Sequence, residues 1–334
     1  MAVTIKDIAK VVGVTPTTVS MVVRGDKRIS IATTEKVQKV IKEMNYRPNY
    51  IGRSLVKGRT NVIAIASGFF SNMFTVEIMR GMESKLIPTN YRINQYATRG
   101  IMEKEDDMFR EILYGARPEA LICVSLKPSP EIIAEYNKEG LPIISVEESA
   151  GGISTVKTDN EKGAFMAVDY LVKKGRNKIG IVVGKSSGIP GSANAYERLK
   201  GYKDAMTMHG ISFNPERVVE VADYTFEEGL EGFNRMLRRD ALFDAVFCAA
   251  GDMTAAGIIR RAEEKGIKVP EDLSVIGYDN MVIASIVKPA LTTVNQPIFE
   301  MGRSSIDLAM DLINKKETVK TITFQPTLVI RASA

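Results

Sequence analysis

The apolar residues of the first 45 positions recur at helical spacing in three short stretches. Ile5, Ile8, Val11 and Val12 share one helical face, and Val19, Val22 and Val23 share another. Val37, Val40, Ile41 and Met44 follow the i, i+3, i+4, i+7 pattern. Each stretch has its own start and stop. Thr4-Ile5-Lys6-Asp7 has the form of a capping box, and Gly13 breaks the first helix, with Val14 as a turn residue reaching the core. Thr15 caps a second helix with Pro16 at its first position, Gly25 ends it, and Ser30 caps a third. Two short helices joined by a tight turn predict a helix-turn-helix, closed by the third helix, over residues 1–47.

The next segment reads differently. Pro48 stops the third helix, Asn49 can cap a new one, and Gly58 ends a stretch of about eight residues. A helix that short is marginal alone, because few hydrogen bonds repay its nucleation. Leu55 on it has no core of its own. Residues 48–60 are therefore expected to be a hinge helix and linker that needs a partner surface.

From residue 61 onward, short continuous apolar runs alternate with amphipathic ones. The runs are 61–66, 120–125, 141–146, 178–183, 244–250 and 273–278. Helical patterns cover 74–87, 103–114, 161–174, 195–209, 226–238 and 253–265. Such alternation predicts parallel sheets covered on both faces, and its repetition predicts two similar α/β lobes. Ligands in such sheets sit beyond the carboxyl ends of the strands, so a cleft between the lobes is the expected site. The tail beyond 320 reads as a strand pair ending the second lobe. No leucine heptads follow it, so a dimer is expected rather than a coiled-coil tetramer.

Charge changes the picture. Residues 1–60 hold twelve Lys and Arg against four acids, whereas the other 274 hold 33 against 36. A basic head on a slightly acidic body is the footprint of a nucleic-acid contact, or else a solvated basic surface. In a helix-turn-helix the start of the second helix meets base edges in the major groove. Here that places Pro16, Thr17, Thr18 and Met21 at the bases, with Ser20 in reach of a phosphate. Thr17 and Thr18 could equally be ordinary helix polarity.

Several classes are disfavoured. No apolar run approaches a membrane span, and the first ten residues carry Asp7 and Lys10 where a signal peptide needs an apolar stretch. Cys123 and Cys248 each sit in an apolar run and read as reduced, buried thiols. A cytoplasmic protein without a membrane partner is expected. His209 is the only histidine; before Gly210 it reads as a helix-terminal residue, which lowers the case for catalysis. No zinc-ligand spacing and no cofactor motif is present. Gly184-Lys185-Ser186 follows a strand, but Gly180 is one residue too close for a phosphate-binding loop.

The stretches TIKDIAKVVGVTPTTVSMVVRG (4–25) and NYRPNYIGRSLVKGRTNVIAI (45–65) resemble the DNA-binding head and hinge of the lactose/galactose repressor family. VIGYDNMVIASIVKPALTTVNQP (275–297) is similar to that family's effector-binding core, so the resemblance spans the chain. It implies an all-α helix-turn-helix head on an α/β body like a periplasmic binding protein, with two doubly wound parallel-sheet lobes. It implies a homodimer on a palindromic double-stranded operator, with Leu55 as a wedge in the minor groove and Asn49 and Arg53 along backbone or groove floor. The DNA-facing candidates are Thr4, Thr15, Pro16, Thr17, Thr18, Ser20, Met21, Arg24, Asn49, Tyr50, Arg53 and Leu55. Met21 and Arg24 depart from the common Arg and Asn of the family, and Met cannot make a bidentate contact to guanine.

In that architecture the chain crosses between lobes three times. The crossings are expected near 158–162, 290–293 and 320–324, giving a first lobe of about 61–160 and 292–321 and a second of about 161–291 and 322–334. The resemblance places Asp279 and Arg198 in the cleft, although Asp279 could cap a turn and Arg198 could be a surface helix charge. Phe69, Phe70, Asn72 and Phe74 follow the first strand, where the family lines its pocket; lobe packing is the competing reading. Asp252 follows Gly251 where the family has Asn-Asp, and Glu147 is a further candidate. The pocket departs from the commonest hexose pattern. Segments 74–87 and 280–287 are candidate dimer faces. The implied function is a transcriptional regulator, acting as a repressor, controlled by a sugar or related metabolite. Alternatives are a sugar- or nucleoside-processing α/β enzyme with a basic appendage, a transport binding protein, and a regulator docked by a phosphocarrier protein.

Overall fold

The structure, a computed structural model, describes residues 3–46, 59–98, 101, 104–185, 192–239, 243–316 and 319–334. The chain divides into two units, 1–60 and 61–334.

The first unit holds α1 (Ile5–Val12), α2 (Pro16–Val23) and α3 (Ile31–Glu43). Its starts are the predicted ones. The Asp7 carboxylate accepts the Thr4 N–H at 2.9 Å and the Thr4 hydroxyl at 2.7 Å, and the Asp7 N–H donates back to Thr4 Oγ1 at 3.4 Å. Gly13 ends α1 with a left-handed φ of +76°, the turn only glycine adopts freely. Thr15 Oγ1 accepts from the Thr18 N–H, and Ser30 Oγ accepts from the Thr33 N–H. Ile8, Ala9, Val19, Val22 and Val37 form the buried core, with Val14 packed against it.

The second unit contains two six-stranded sheets. The strands of the first sheet are β1 (Val62–Ser67), β2 (Arg92–Ala97), β3 (Ala120–Val124), β4 (Ile143–Val146), β5 (Ser154–Thr158) and β11 (Thr321–Phe324). Those of the second are β6 (Ile179–Gly184), β7 (Val218–Val221), β8 (Ala245–Cys248), β9 (Ser274–Asp279), β10 (Thr292–Asn295) and β12 (Thr327–Val329). The orders are β11-β5-β4-β3-β1-β2 and β12-β10-β9-β8-β6-β7. Every pairing is parallel except β10 with β12. The central strands β3, β6 and β8 are buried throughout, as a sheet covered on both faces requires.

Helices cover both sheets: α4 (Met73–Leu86), α5 (Glu105–Glu111), α6 (Pro130–Lys138) and α12 (Ile298–Ile313) in the first lobe. In the second lie α7 (Asn160–Lys173), α8 (Ser192–Met208), α9 (Phe226–Arg239), α10 (Asp252–Glu264) and α11 (Val282–Ile286). Where α4 meets α12, glycine permits the approach. A Cβ on Gly81 would overlap the Phe299 carbonyl oxygen, and one on Gly302 would overlap that of Ile78.

Strand pairing corrects the expected crossings. β10 pairs with β9 and β12, so residues 292–295 belong to the second lobe, and the second crossing is at 296–298 instead of 290–293. β11 pairs with β5, so 322–324 belong to the first lobe, and the third crossing is at 325–326. The tail is therefore two strands in two different sheets, not one pair. The first crossing, between Thr158 and Asn160, lies in the expected interval.

Candidate functional site

On the head, the start of α2 is presented by its cap. Pro16 and Thr17 are exposed in the first turn, and Met21 is half-buried one turn on. Thr18 is partly committed, since its hydroxyl lies 2.9 Å from Thr15 Oγ1. Arg24 folds back on the same helix: its Nη2 donates to Ser20 Oγ at 2.6 Å and its Nε to the Ser20 carbonyl at 3.2 Å. Thr4 and Thr15 spend their hydroxyls as caps. Thr17 is thus the candidate with the least to hold in place locally. Asn49, Tyr50, Arg53 and Leu55 lie outside the described residues.

In the second unit a cleft of about 930 Å³ opens between the two sheets, beyond the carboxyl ends of their strands. From the first lobe it is lined by Gly68, Phe69 and 71–75 after β1, by Val124 and Ser125 at the end of β3, and by Glu147 after β4. From the second it is lined by Gly184, by 222–227 after β7, by 249–253 after β8, by Asp279, and by Asn194, Ala195 and Arg198 of α8.

Arg198 is 7 % exposed, and its guanidinium is held from three sides. Nε donates to Asn160 Oδ1 at 2.9 Å, Nη1 donates to the Ala249 carbonyl at 2.8 Å, and the plane lies 3.9 Å from the centroid of Tyr278. The Tyr278 hydroxyl donates to the same Asn160 oxygen at 3.1 Å, while Asn160 Nδ2 donates to Asn194 at 3.0 Å and Glu197 at 3.1 Å. A surface helix charge would have none of this; Arg198 is a built part of the cleft.

Asp279 ends β9 with φ +103° and accepts from Gln296 Nε2 at 2.6 Å. Burial raises its carboxyl above the ordinary value, against the pull of Arg198. Asp252 is 1 % exposed, and both its oxygens are used internally, by Thr293 Oγ1 at 2.5 Å and the Met281 N–H at 2.6 Å. Its carboxyl is pushed well up by burial and by Asp279, and its work is to tie α10 to the loop after β9. Gly251 supplies the tight approach: φ is +104°, and a Cβ there would sit 3.1 Å from Asp279 Oδ2. Glu147 (φ +77°) and Ser125 (φ +54°) both leave their strands in left-handed conformations, and the Ser125 hydroxyl donates to Glu147 Oε2. Burial pushes the Glu147 carboxyl up to about 7, opposed by Arg198 and by Ser125.

Of the eight expected residues, Phe69, Asn72, Phe74, Glu147, Arg198, Asp252 and Asp279 line this cleft. Asn72 does so while capping α4, its Oδ1 accepting from the Phe74 N–H at 2.9 Å. Phe70 does not line it; of the two adjacent phenylalanines, 47 % and 40 % exposed, only Phe69 does. Ser125, Asn194, Tyr224 and Phe226 were missed. Ser125 is the polar end of the apolar run 120–125, which is the available signal. Tyr224 follows β7, whose short sequence VVEV did not stand out. His209 lies away from the cleft, its Nε2 2.9 Å from Asp169 Oδ1.

Two family models match this chain. Residues 4–49 match the model of bacterial regulatory proteins of the lacI family, and residues 168–334 match the periplasmic binding protein-like domain. Catabolite control protein A of Priestia megaterium is 31% identical over 329 residues, covering 98% of this chain and 97% of that protein. The chain belongs to the lacI family of bacterial regulatory proteins. Among solved structures of the family, the lac repressor dimer bound to operator and an anti-inducer has a TM-score of 0.85 at 25% identity, covering 100% of this chain and 99% of that one. The regulator CelR in complex with cellobiose has a TM-score of 0.74 at 27% identity, covering 99% and 100%. Among the described residues, no helix is long and apolar enough to cross a membrane, and no group of three or more His, Cys, Asp and Glu is placed to hold a metal ion.

Proposed function

We propose that this protein is a cytoplasmic transcriptional repressor, a homodimer on a near-palindromic operator whose affinity is set by a small molecule in the cleft. The observation that carries this is the joint presence, in one chain, of a capped helix-turn-helix with an exposed Thr17 and a cleft into which the buried Arg198 is built. Two heads on a two-fold axis read two half-sites in successive major grooves. The solved relatives support the roles: one is a dimer on operator DNA, the other holds a disaccharide.

The mechanism follows from the crossings. Three strands of chain join the lobes, so a ligand gripped by Glu147 on one side and by Arg198 and Asp279 on the other favours one lobe arrangement. Lobe arrangement sets the spacing of the two hinge segments of the dimer. Close together, residues 49–57 fold and Leu55 enters the central base step; apart, they do not. The ligand acts only through unequal affinity for the two arrangements. Segments 74–87 and 280–287, with exposed Val76, Val282 and Ile286, supply the dimer face.

Selection from a randomised DNA pool by the full-length protein tests this reading. A palindromic site with a flexible central step is expected. No enrichment, with and without a pool of metabolites, would overturn it.

A further inference from the structure

The cleft is unequally charged. Its described lining carries five carboxylates, Glu147, Asp223, Glu227, Asp252 and Asp279, and one cation, Arg198. Asp252 is satisfied within the fold. Glu147 and Asp279 are not: each has one oxygen bonded, to Ser125 and Gln296, and the other without a hydrogen bond among the described residues. Arg198 is committed to Asn160, to the Ala249 carbonyl and to the face of Tyr278, and forms an ion pair with neither acid.

Three helix N-termini at the cleft wall offer no free seat for an anion. α4 enters the cleft wall with its first-turn N–H capped by Asn72, and α9 with its own capped by Thr225 at 3.2 Å and followed by Glu227 and Glu228. α10 opens with Asp252 itself. Helix N-termini that hold phosphates keep those groups free. The aromatic lining, Phe69, Phe74, Tyr224 and Phe226, supplies ring faces, which attract cations and repel anions.

We propose that the effector is a small organic cation, a hydroxylated molecule bearing an ammonium group, such as an amino sugar or amino polyol. The ammonium sits against Glu147 and an aromatic face, while hydroxyls bridge Asp279 and Arg198. Binding then supplies the counter-charge that the first-lobe wall lacks and joins the two lobes through one molecule. The upward displacement of the Glu147 carboxyl agrees with an acid waiting for a partner. This rests on the reading of the cleft as the effector site.

The test is calorimetric titration and thermal melting of the full-length protein with matched probes at pH 7.5. Glucosamine, galactosamine, mannosamine and 2-amino-1,3-propanediol are compared with glucose, galactose, mannose and glycerol, and with the hexose 6-phosphates. At least one amine is expected to bind tenfold or more tightly than its hydroxyl counterpart, and Glu147→Gln to remove that preference. Tighter binding of a neutral or phosphorylated probe, or no response to any amine, overturns the proposal. The wild-type ranking decides even if the variant fails to fold. Operator binding by the same preparation is scored separately. Intact DNA binding with the wrong ranking defeats only the ligand class, whereas absent DNA binding defeats the regulator reading.

Discussion

Gln296 Nε2 donates to Asp279 Oδ1 at 2.6 Å, joining the floor of the cleft to the second crossing between the lobes. Asn160, at the first crossing, accepts from Arg198 in the same way. The two cleft residues of the second lobe are thus each held by a residue where the chain changes lobe. Gln296→Leu removes a hydrogen bond to a charged group and is expected to cost about 2 kcal/mol at pH 7. Urea denaturation checks it, and an unchanged midpoint would show that the bond holds nothing.

Arg198 carries a larger share. Arg198→Ala leaves the Ala249 carbonyl short of a donor, takes from Asn160 Oδ1 one of its two donors and uncovers the Tyr278 ring. A loss of about 3 kcal/mol is expected, from unsatisfied buried groups and the stacked cation. Arg198→Lys should recover less than half, because an ammonium cannot span the same three partners. The same denaturation curves check both variants.

Glu105 and Glu147 are both pushed by burial to about 7, against 4.5 for an ordinary glutamate. Between those values the folded chain keeps protons that the unfolded chain has released, so stability falls as pH rises from 4.5 through 7. The unliganded protein is expected to melt at higher temperature at pH 5.5 than at pH 7.5. Glu147→Gln should narrow that gap by raising the melting point at pH 7.5 with little change at pH 5.5. A variant whose melting curve keeps the wild-type pH dependence would mean that Glu147 is ionised throughout.

The packing of α4 on α12 gives a stability prediction remote from the site. Gly81→Ala forces a Cβ against the Phe299 carbonyl, a backbone atom that cannot swing aside. Overpacking of this kind costs typically 1–3 kcal/mol, occasionally more, so about 3 kcal/mol is expected. Thermal melting checks it.

What was legible in the sequence follows from what each element buries. The head was read almost to the residue, because Thr4, Thr15, Ser30 and Gly13 mark its boundaries by local chemistry. Of the strands, β1, β3, β4, β6, β8 and β9 are legible as apolar runs, whereas β5 and β10, rich in threonine, are not. The edge strands β2 and β7 were not: β2 reads RINQYA, with half of it exposed, and shows neither a continuous run nor a clean alternation. The second and third crossings differ from expectation for a related reason. Whether TTVN of β10 or TITF of β11 joins one sheet or the other is decided by pairing, which periodicity does not encode. Arg198 and Asp279 were placed by family resemblance, whereas Tyr224 lay behind an unrecognised strand and so went unnamed.

The central claim is that the start of α2 reads DNA and that the charges around it only hold the protein there. It is tested most directly by the ratio of affinities of full-length protein for its selected site and for scrambled DNA, over a range of salt. For Thr17→Ala with Met21→Ala the ratio should fall at least tenfold, with scrambled-DNA affinity unchanged and the melting temperature of the head preserved. For Arg24→Ala both affinities should fall together, with the salt slope reduced by about one. A double variant that keeps its wild-type ratio, while still folded and still binding DNA, would contradict the account.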